Sequence, residues 1–439
     1  MVEISKDANT NYLGKVICIN NLEPIEGADK IQTTRVDFQT VVISKDFNIG
    51  DYVVYFPVEC SINSDFLSET NSYRDSSLNK IKTKQGFFDE KGRVKAIKLF
   101  KGTVKSCGYI VPVGEIERFT GIYHLKDYAG QEFDTINGIK MLEKYVIKNI
   151  KSSEPKTKQG KKPKVSRLVE GQVHLHVDSE NYRKNVHKIK PLDIISLTYK
   201  LHGTSATYQN VLVKKKLNWK ERLLKKLKFN IVDTEYDLVI TSRKVVKNNQ
   251  FNDFKNSNHF YGTDVWTDIA NTHNLKSIPK GYSLYGEIVG YTSEGKAIQK
   301  DYDYECTNNG QEKNKFFVYR ITYTNVDGVV SELSMFEIEE FCQKMGLKCV
   351  PIFFMGYAKD LYPDLTIDEN WNTNFIQLIE KDYLEKDCYM CNNKVPAEGV
   401  VIKREQLFSC EPLKLKSFSF LEKETKELDR GEENIEDSN

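Results

Sequence analysis

Between Lys151 and Lys164 the chain (KSSEPKTKQGKKPK) carries Lys, Ser, Pro and Gly with almost no apolar side chain. A segment that can bury nothing has linker composition, so the residues before it and after it must build separate cores. The two sides read differently. From about residue 10 to 115, short runs alternate or stay apolar: Tyr12 to Ile19, Lys30 to Val36, Thr40 to Ser44, Asp51 to Pro57, Val94 to Leu99 and Gly108 to Val113. Gly, Asp, Asn and Pro punctuate them, and Asn48-Ile49-Gly50-Asp51 suits a hairpin connection. After the linker, strand signals (Ile194 to Tyr199, Leu238 to Ser242, Tyr282 to Val289, Phe316 to Tyr323, Gly399 to Lys403, Leu413 to Phe418) mix with helical ones. Trp219 to Leu227 predicts a basic amphipathic helix with Leu223, Leu224 and Leu227 on its apolar side, and Val330 to Met345 a surface helix ended by Gly346.

The expected architecture is α+β. Several short strands within the first part predict a small barrel, with an OB-fold as the natural candidate over residues 8–125. Leu22-Glu23-Pro24-Ile25-Glu26-Gly27-Ala28-Asp29 resembles the loop after the first strand of tRNA-binding-type OB domains. A basic linker region spans 126–172, a second domain 173–421, and a charged, frayed tail 422–439. A chain of 439 residues is long enough for two or three such domains.

No apolar run approaches the roughly 20 residues that span a membrane, and Met1-Val2-Glu3-Ile4-Ser5-Lys6-Asp7 lacks the apolar centre of a signal peptide. The expected compartment is the cytoplasm, with no membrane and no required protein partner evident. Nine cysteines, an odd total, argue against a complete disulfide framework. Cys388-Tyr389-Met390-Cys391 is a CxxC, but zinc needs a second ligand pair and only Cys410 lies nearby. A net charge of +2 steers nucleic acid weakly. Its distribution is uneven: Lys151 to Arg167 and Val213 to Lys228 are strongly basic and the tail from Glu422 is acidic. Each basic stretch is equally well a solvated linker or helix face.

The chemistry centres on Lys200-Leu201-His202-Gly203-Thr204-Ser205, a lysine just ahead of a glycine-bearing polar loop. A deprotonated lysine can attack phosphorus and hold a nucleotide covalently; a plain strand end beside a turn is the simpler reading of six residues. Downstream lie the other groups that chemistry on a nucleoside triphosphate requires. Thr241-Ser242-Arg243 offers a guanidinium, and Leu284-Tyr285-Gly286-Glu287 a carboxylate beside a glycine. Phe316-Phe317-Val318-Tyr319-Arg320-Ile321 is an aromatic strand on which Phe317 and Tyr319 should face the same way. Glu398-Gly399-Val400-Val401-Ile402-Lys403 repeats the carboxylate–glycine–strand pattern, and Leu413-Lys414-Leu415-Lys416 puts two lysines on one face. Singly these are turns, solvated faces and core; the ordered conjunction is much harder to obtain by accident.

That series resembles motifs I, Ia, III, IIIa, IV and V of the covalent lysine nucleotidyltransferases, over Lys200 to Lys416. Val177 to Asn185 is similar to the segment leading into the nucleophile strand in RNA ligases. His202 stands where many members have Asp, so a metal-water contact there is in question. DNA ligases and capping enzymes carry an OB domain after motif V, whereas here only Ser417 to Asn439 follow Lys416 and the OB candidate comes first. The chain therefore resembles the ATP-dependent RNA ligases with an N-terminal OB module. A DNA ligase, a capping nucleotidyltransferase and a catalytically inactive RNA-binding relative are the alternatives.

The resemblance implies an ATP-grasp-like nucleotidyltransferase domain of antiparallel sheets with flanking helices. It implies ATP as adenylyl donor, Mg2+ or Mn2+ as metal, and RNA with 5′-phosphate and 3′-OH ends as substrate. Lys200 would be the nucleophile, with Glu398, Lys414 and Lys416 catalytic; like charge from the two lysines would favour loss of a proton from an amine whose ordinary pKa is about 10.4. Tyr199, Arg243, Glu287, Phe317, Tyr319, Lys403 and Arg183 would bind nucleotide: Glu287 and Arg243 at the ribose, Phe317 or Tyr319 against adenine, Lys403 and Arg183 at phosphates. Glu398 and Glu287 would hold the metal, through water.

Overall fold

The computed structural model describes residues 1–100, 102–147, 167–247 and 263–432. Most of the basic linker and the end of the acidic tail lie outside them. The described residues form two compact units.

The first unit is built from the N-terminal residues together with Glu180–Asn185 and the segment from Phe418. Strands β1 (Gly14–Cys18), β2 (Ile31–Val36), β3 (Gln39–Ser44), β4 (Tyr52–Phe56), β5 (Ala96–Leu99), β6 (Val104–Cys107), β7 (Tyr109–Pro112) and β8 (Glu132–Phe133) carry it. They pair antiparallel in the order β7-β4-β1-β8, with β2-β3 and β5-β6 as hairpins. Strand β4 explains itself. Its run Tyr-Val-Val-Tyr-Phe is apolar throughout because both faces are covered: Val54 and Phe56 join a core with Val16, Phe66 and Phe133, while Val53 and Tyr55 join another with Ile19, Val41 and Ile110. Helix α1 (Val113–Thr120) follows and ends at Gly121, whose left-handed φ of 68° closes the last turn.

The second unit holds two sheets. The smaller is antiparallel in the order β17-β16-β9-β15, from β9 (Ile194–Lys200), β15 (Ile352–Tyr357), β16 (Gly399–Arg404) and β17 (Pro412–Lys416). The larger runs β11-β10-β12-β13-β14, from β10 (Thr204–Lys214), β11 (Thr234–Thr241), β12 (Tyr282–Gly290), β13 (Asn314–Thr324) and β14 (Val330–Glu332). Helices α2 (Trp219–Lys226), α3 (Val265–Thr272), α4 (Met335–Met345) and α5 (Trp371–Tyr383) accompany them.

Three readings of the sequence change. Val330 begins a strand, not a helix; α4 starts only after Ser334, which caps it by accepting from Glu337 N–H. Helix α2 forms behind its own capping box at Asn218 and Glu221, but Leu223, Leu224 and Leu227 stay exposed, so its apolar side covers no core. The tail read as frayed from residue 422 is helical over its first part. Helix α6 (Phe418–Asp429) belongs to the first unit, where Phe418 and Leu421 enter the core, Arg93 Nη2 meets Asp429 Oδ1 at 2.5 Å and Lys98 meets Glu422 at 2.9 Å. Leu421→Ala should therefore cost about 2–4 kcal/mol; a denaturant midpoint for the first unit's transition that does not move would rule out this packing.

Candidate active site

Lys200 is the last residue of β9, and the turn Leu201–Gly203 leads straight into β10, so this one lysine ends a strand of the smaller sheet just before the larger begins. Pairing fixes what faces it. Lys200 lies opposite Gly399, and Gly399 opposite Lys416; two residues along, Thr198 lies opposite Val401, and Val401 opposite Lys414. Residues directly opposite, and those two apart, share a face of a sheet. Lys200, Lys414 and Lys416 thus stand on one face, while Val400 and Leu415 point into the core behind. Gly399 has φ 148°, and a Cβ there would sit 1.8 Å from Leu415 O, so a side chain is excluded between the two lysine-bearing strands.

Glu398 precedes that glycine. Its carboxylate is 2% exposed as a residue, with Oε1 2.7 Å from Lys200 Nζ and Oε2 3.6 Å from His202 Nδ1. The lysine of the first motif and the carboxylate of the fourth, nearly two hundred positions apart, are in direct contact. His202 thereby gains a place: it is buried, stands edge-on to Tyr302 with ring centres 4.9 Å apart, and its N–H donates to the Tyr304 hydroxyl at 2.7 Å.

Glu287 holds the turn from the other side, its Oε1 accepting the Gly203 N–H at 3.1 Å. Gln299 Nε2 donates to Gly203 O at 2.7 Å. A Cβ on Gly203 would fall 2.3 Å from Ile288 O, so only glycine lets the turn lie against β12. Opposite Glu287 in the sheet are Ser205 on one side and Phe317 on the other, which puts all three on one face. The register of β13 against β12 slips between Gly286 and Tyr285, leaving Tyr319 as an extra residue between Val318 and Arg320. The bulge aims Tyr319 at this same region: its hydroxyl is 3.3 Å from Ser205 Oγ and 3.0 Å from His176 Nδ1.

Arg243, after β11, donates through Nε and Nη2 to Asp178 Oδ1 at 2.9 and 2.6 Å. Desolvation pushes the Asp178 carboxyl up, but the Arg243 charge and its hydrogen bonds outweigh this, with His176 and Lys414 adding, and hold it below the usual carboxylate range. Asp178 and His176 have no role legible in the sequence, because spacing does not show that they reach Arg243 and Tyr319. Tyr199, on the far face from Lys200, is buried against Phe353 and Tyr389.

Tyr199, expected to bind nucleotide, thus stands apart, and so do two others. Lys403 shares the Lys200 face but lies four residues along β16 from Gly399, where its Nζ contacts Glu405 at 3.3 Å and Leu333 O at 3.4 Å. Arg183 sits in a 3-10 turn counted with the first unit, not the second. Its motif was legible, its allegiance was not.

The buried carboxylates of Glu398 and Glu287 flank the Lys200–Gly203 turn and are hard oxygen donors, which fits a divalent ion such as Mg2+ or Mn2+. Among the described residues no group of three or more His, Cys, Asp or Glu forms a ready cage, so most ligands would have to be phosphate and water. No helix among them is long and apolar enough to cross a membrane.

Against known families, residues 193–417, just over half the chain, match the RNA ligase family model. The chain belongs to the RNA ligase family. Residues 13–113 match an OB-fold domain model, and the first unit is accordingly an OB-fold domain. Among solved structures, a Naegleria gruberi RNA ligase mutant with ATP and Mn aligns over 95% of this chain and 99% of its own, at 17% identity and TM-score 0.54. A second mutant, with AMP and Mn, aligns over 94% and 98%, again at 17%, with TM-score 0.56. At this identity the likeness establishes the fold: an OB domain and a ligase domain in that order. No curated protein matches the sequence.

Gly203→Ala should leave the ligase unit folded but displace the turn, because the new Cβ meets backbone and not a yielding side chain. Ligase activity should fall by about 10²-fold, as expected for misplacement near 1 Å. An unchanged rate, with circular dichroism confirming the fold, would contradict this geometry.

Proposed function

We propose that the chain is an ATP-dependent RNA ligase that joins 5′-phosphate and 3′-OH ends through a lysyl-AMP at Lys200 and an RNA-adenylate. The contact between Lys200 and Glu398 carries the reading, because it joins the nucleophile to a buried carboxylate on a face that also bears Lys414 and Lys416.

In the first step the Lys200 amine forms an N–P bond to the α-phosphate of ATP as the bond to pyrophosphate breaks. Glu398, at 2.7 Å, is within reach to take the ammonium proton, and the amine then leaves that contact to face phosphorus. Lys414 and Lys416 neutralise charge on the phosphate oxygens in transit. A divalent ion, when bound beside Glu398 and Glu287, would supply further positive charge to the phosphates. Glu287, already fixing the Gly203 N–H, has its carboxylate on the face shared with Phe317, where ribose and adenine would lie. Phe317 offers the stacking surface, and Tyr319 a wall tied to Ser205 and His176. Arg243 would act with Asp178 beside Lys414, not as an isolated cation.

In the second step a 5′-phosphate oxygen of RNA takes the AMP from Lys200, breaking the N–P bond. In the third the 3′-OH attacks that phosphate and AMP departs. Exposed lysines of α2, among them Lys220, Lys225 and Lys226, together with the OB domain, would grip the RNA backbone.

Incubation with Mg2+ or Mn2+ and α-labelled ATP or GTP should give a labelled protein band on a denaturing gel with ATP only. Lys200→Ala should abolish it, and Glu398→Ala should weaken it by about 10²–10³-fold. No adduct with any nucleotide would refute the enzyme reading. On nicked duplexes, sealing indifferent to RNA or DNA at the 3′-OH side would refute the RNA assignment.

A further inference from the structure

The ligase reading leaves one conspicuous pair unused. Cys388 and Cys391, the CxxC of the sequence, bring their sulfurs to 3.2 Å, and among the described residues no metal-binding group of His, Cys, Asp or Glu includes them. What they touch is specific. The Tyr199 ring stands edge-on to that of Tyr389, between the two cysteines, with ring centres 5.1 Å apart, and Tyr199 immediately precedes Lys200. Asn392, next to Cys391, donates its backbone N–H to Asp303 Oδ1 at 2.9 Å, and one residue on the Tyr304 hydroxyl accepts the His202 backbone N–H at 2.7 Å. The CxxC loop therefore touches the Lys200–Gly203 turn through Tyr199 on one side and Asp303–Tyr304 on the other. Around it, the Tyr302 hydroxyl donates to Pro396 O at 2.8 Å, two residues before Glu398.

We propose that Cys388 and Cys391 are an oxidisable dithiol whose disulfide displaces the Lys200–Gly203 turn and slows adenylylation. The step balances with a peroxide as oxidant: two thiols and one peroxide give one disulfide and two waters, the thiols losing two electrons and the O–O bond gaining them. The chemistry suits the pair. The hydrogen bond with Cys391, at 3.2 Å between the sulfurs, outweighs burial and lowers the Cys388 thiol to about 7, which favours the reactive thiolate. Cys391 is partly exposed and gives a reagent its entry. A disulfide requires the sulfurs to close from 3.2 Å to about 2.05 Å, so the loop's contacts with Tyr199 and Asp303 must shift.

The inference rests on the ligase reading for its consequence but not for its chemistry, so the test has two readouts. Full-length protein, freed of reductant, is treated with graded hydrogen peroxide and its disulfides mapped by peptide mass. Cys342 and Cys349, which also neighbour each other, are controlled by Cys342→Ser. Expected are a Cys388–Cys391 link, faster amide hydrogen exchange at His202, and a fall of about tenfold in the rate of Lys200 adenylylation, the order expected when a reacting group shifts by a fraction of an ångström. Dithiothreitol should restore both. Cys391→Ser, close to cysteine in size and unable to form the link, should keep the rate of the reduced protein and lose the response. Absence of the link, or a link with exchange and rate unchanged, would overturn the proposal. A link with altered exchange in a protein that forms no adduct in either state would uphold the dithiol and sink the ligase reading instead.

Discussion

The ligase unit depends on one contact, the ammonium of Lys200 against the carboxylate of Glu398. Placing two charges where Glu398 is almost wholly buried is a poor source of stability, since desolvation offsets most of the attraction. The arrangement persists because the β9–β16 register leaves no other outcome: once Lys200 lies opposite Gly399, the residue before that glycine arrives at the strand end beside the lysine. Apolar side chains behind the sheet, Leu197, Ile402, Leu413 and Leu415 among them, fix the register and thereby the pair.

The same logic extends outward. The turn after Lys200 is short, so β10 must begin at once, and the larger sheet it opens brings Glu287 to the Gly203 N–H. Strand β13 then adds Phe317 by regular pairing and Tyr319 by a bulge. Lys200, two acids, two further lysines and an aromatic face converge with little freedom. A site that must hold a substrate in reacting geometry needs that rigidity.

Much of this was legible. Lysine, carboxylate and lysine pair occur in fixed order, and alternation alone places Lys414 and Lys416 on one face. The strands of the OB domain showed themselves by turn residues and short apolar runs, and β4 by a run with no polar gap. Other features were not legible, each for a physical reason. A bulge leaves no periodic trace, so the route by which Tyr319 reaches Ser205 was hidden. The first-unit allegiance of Arg183 and α6 comes from contacts across hundreds of residues, such as Arg93 with Asp429, while the local sequence there reads simply as polar. The acidic composition of the tail masked Phe418 and Leu421, whose burial decides the helix.

The sequence by itself determined the groups available: a lysine beside a glycine-bearing turn, the carboxylates and cations that accompany it, and the order of an OB domain and a ligase domain. Residue type and local periodicity suffice for that. Only the tertiary structure decided the partnerships, Lys200 with Glu398, Gly203 with Glu287, Arg243 with Asp178, and Cys388 with Cys391. Those depend on register and on which cores are filled, quantities set by the whole chain at once.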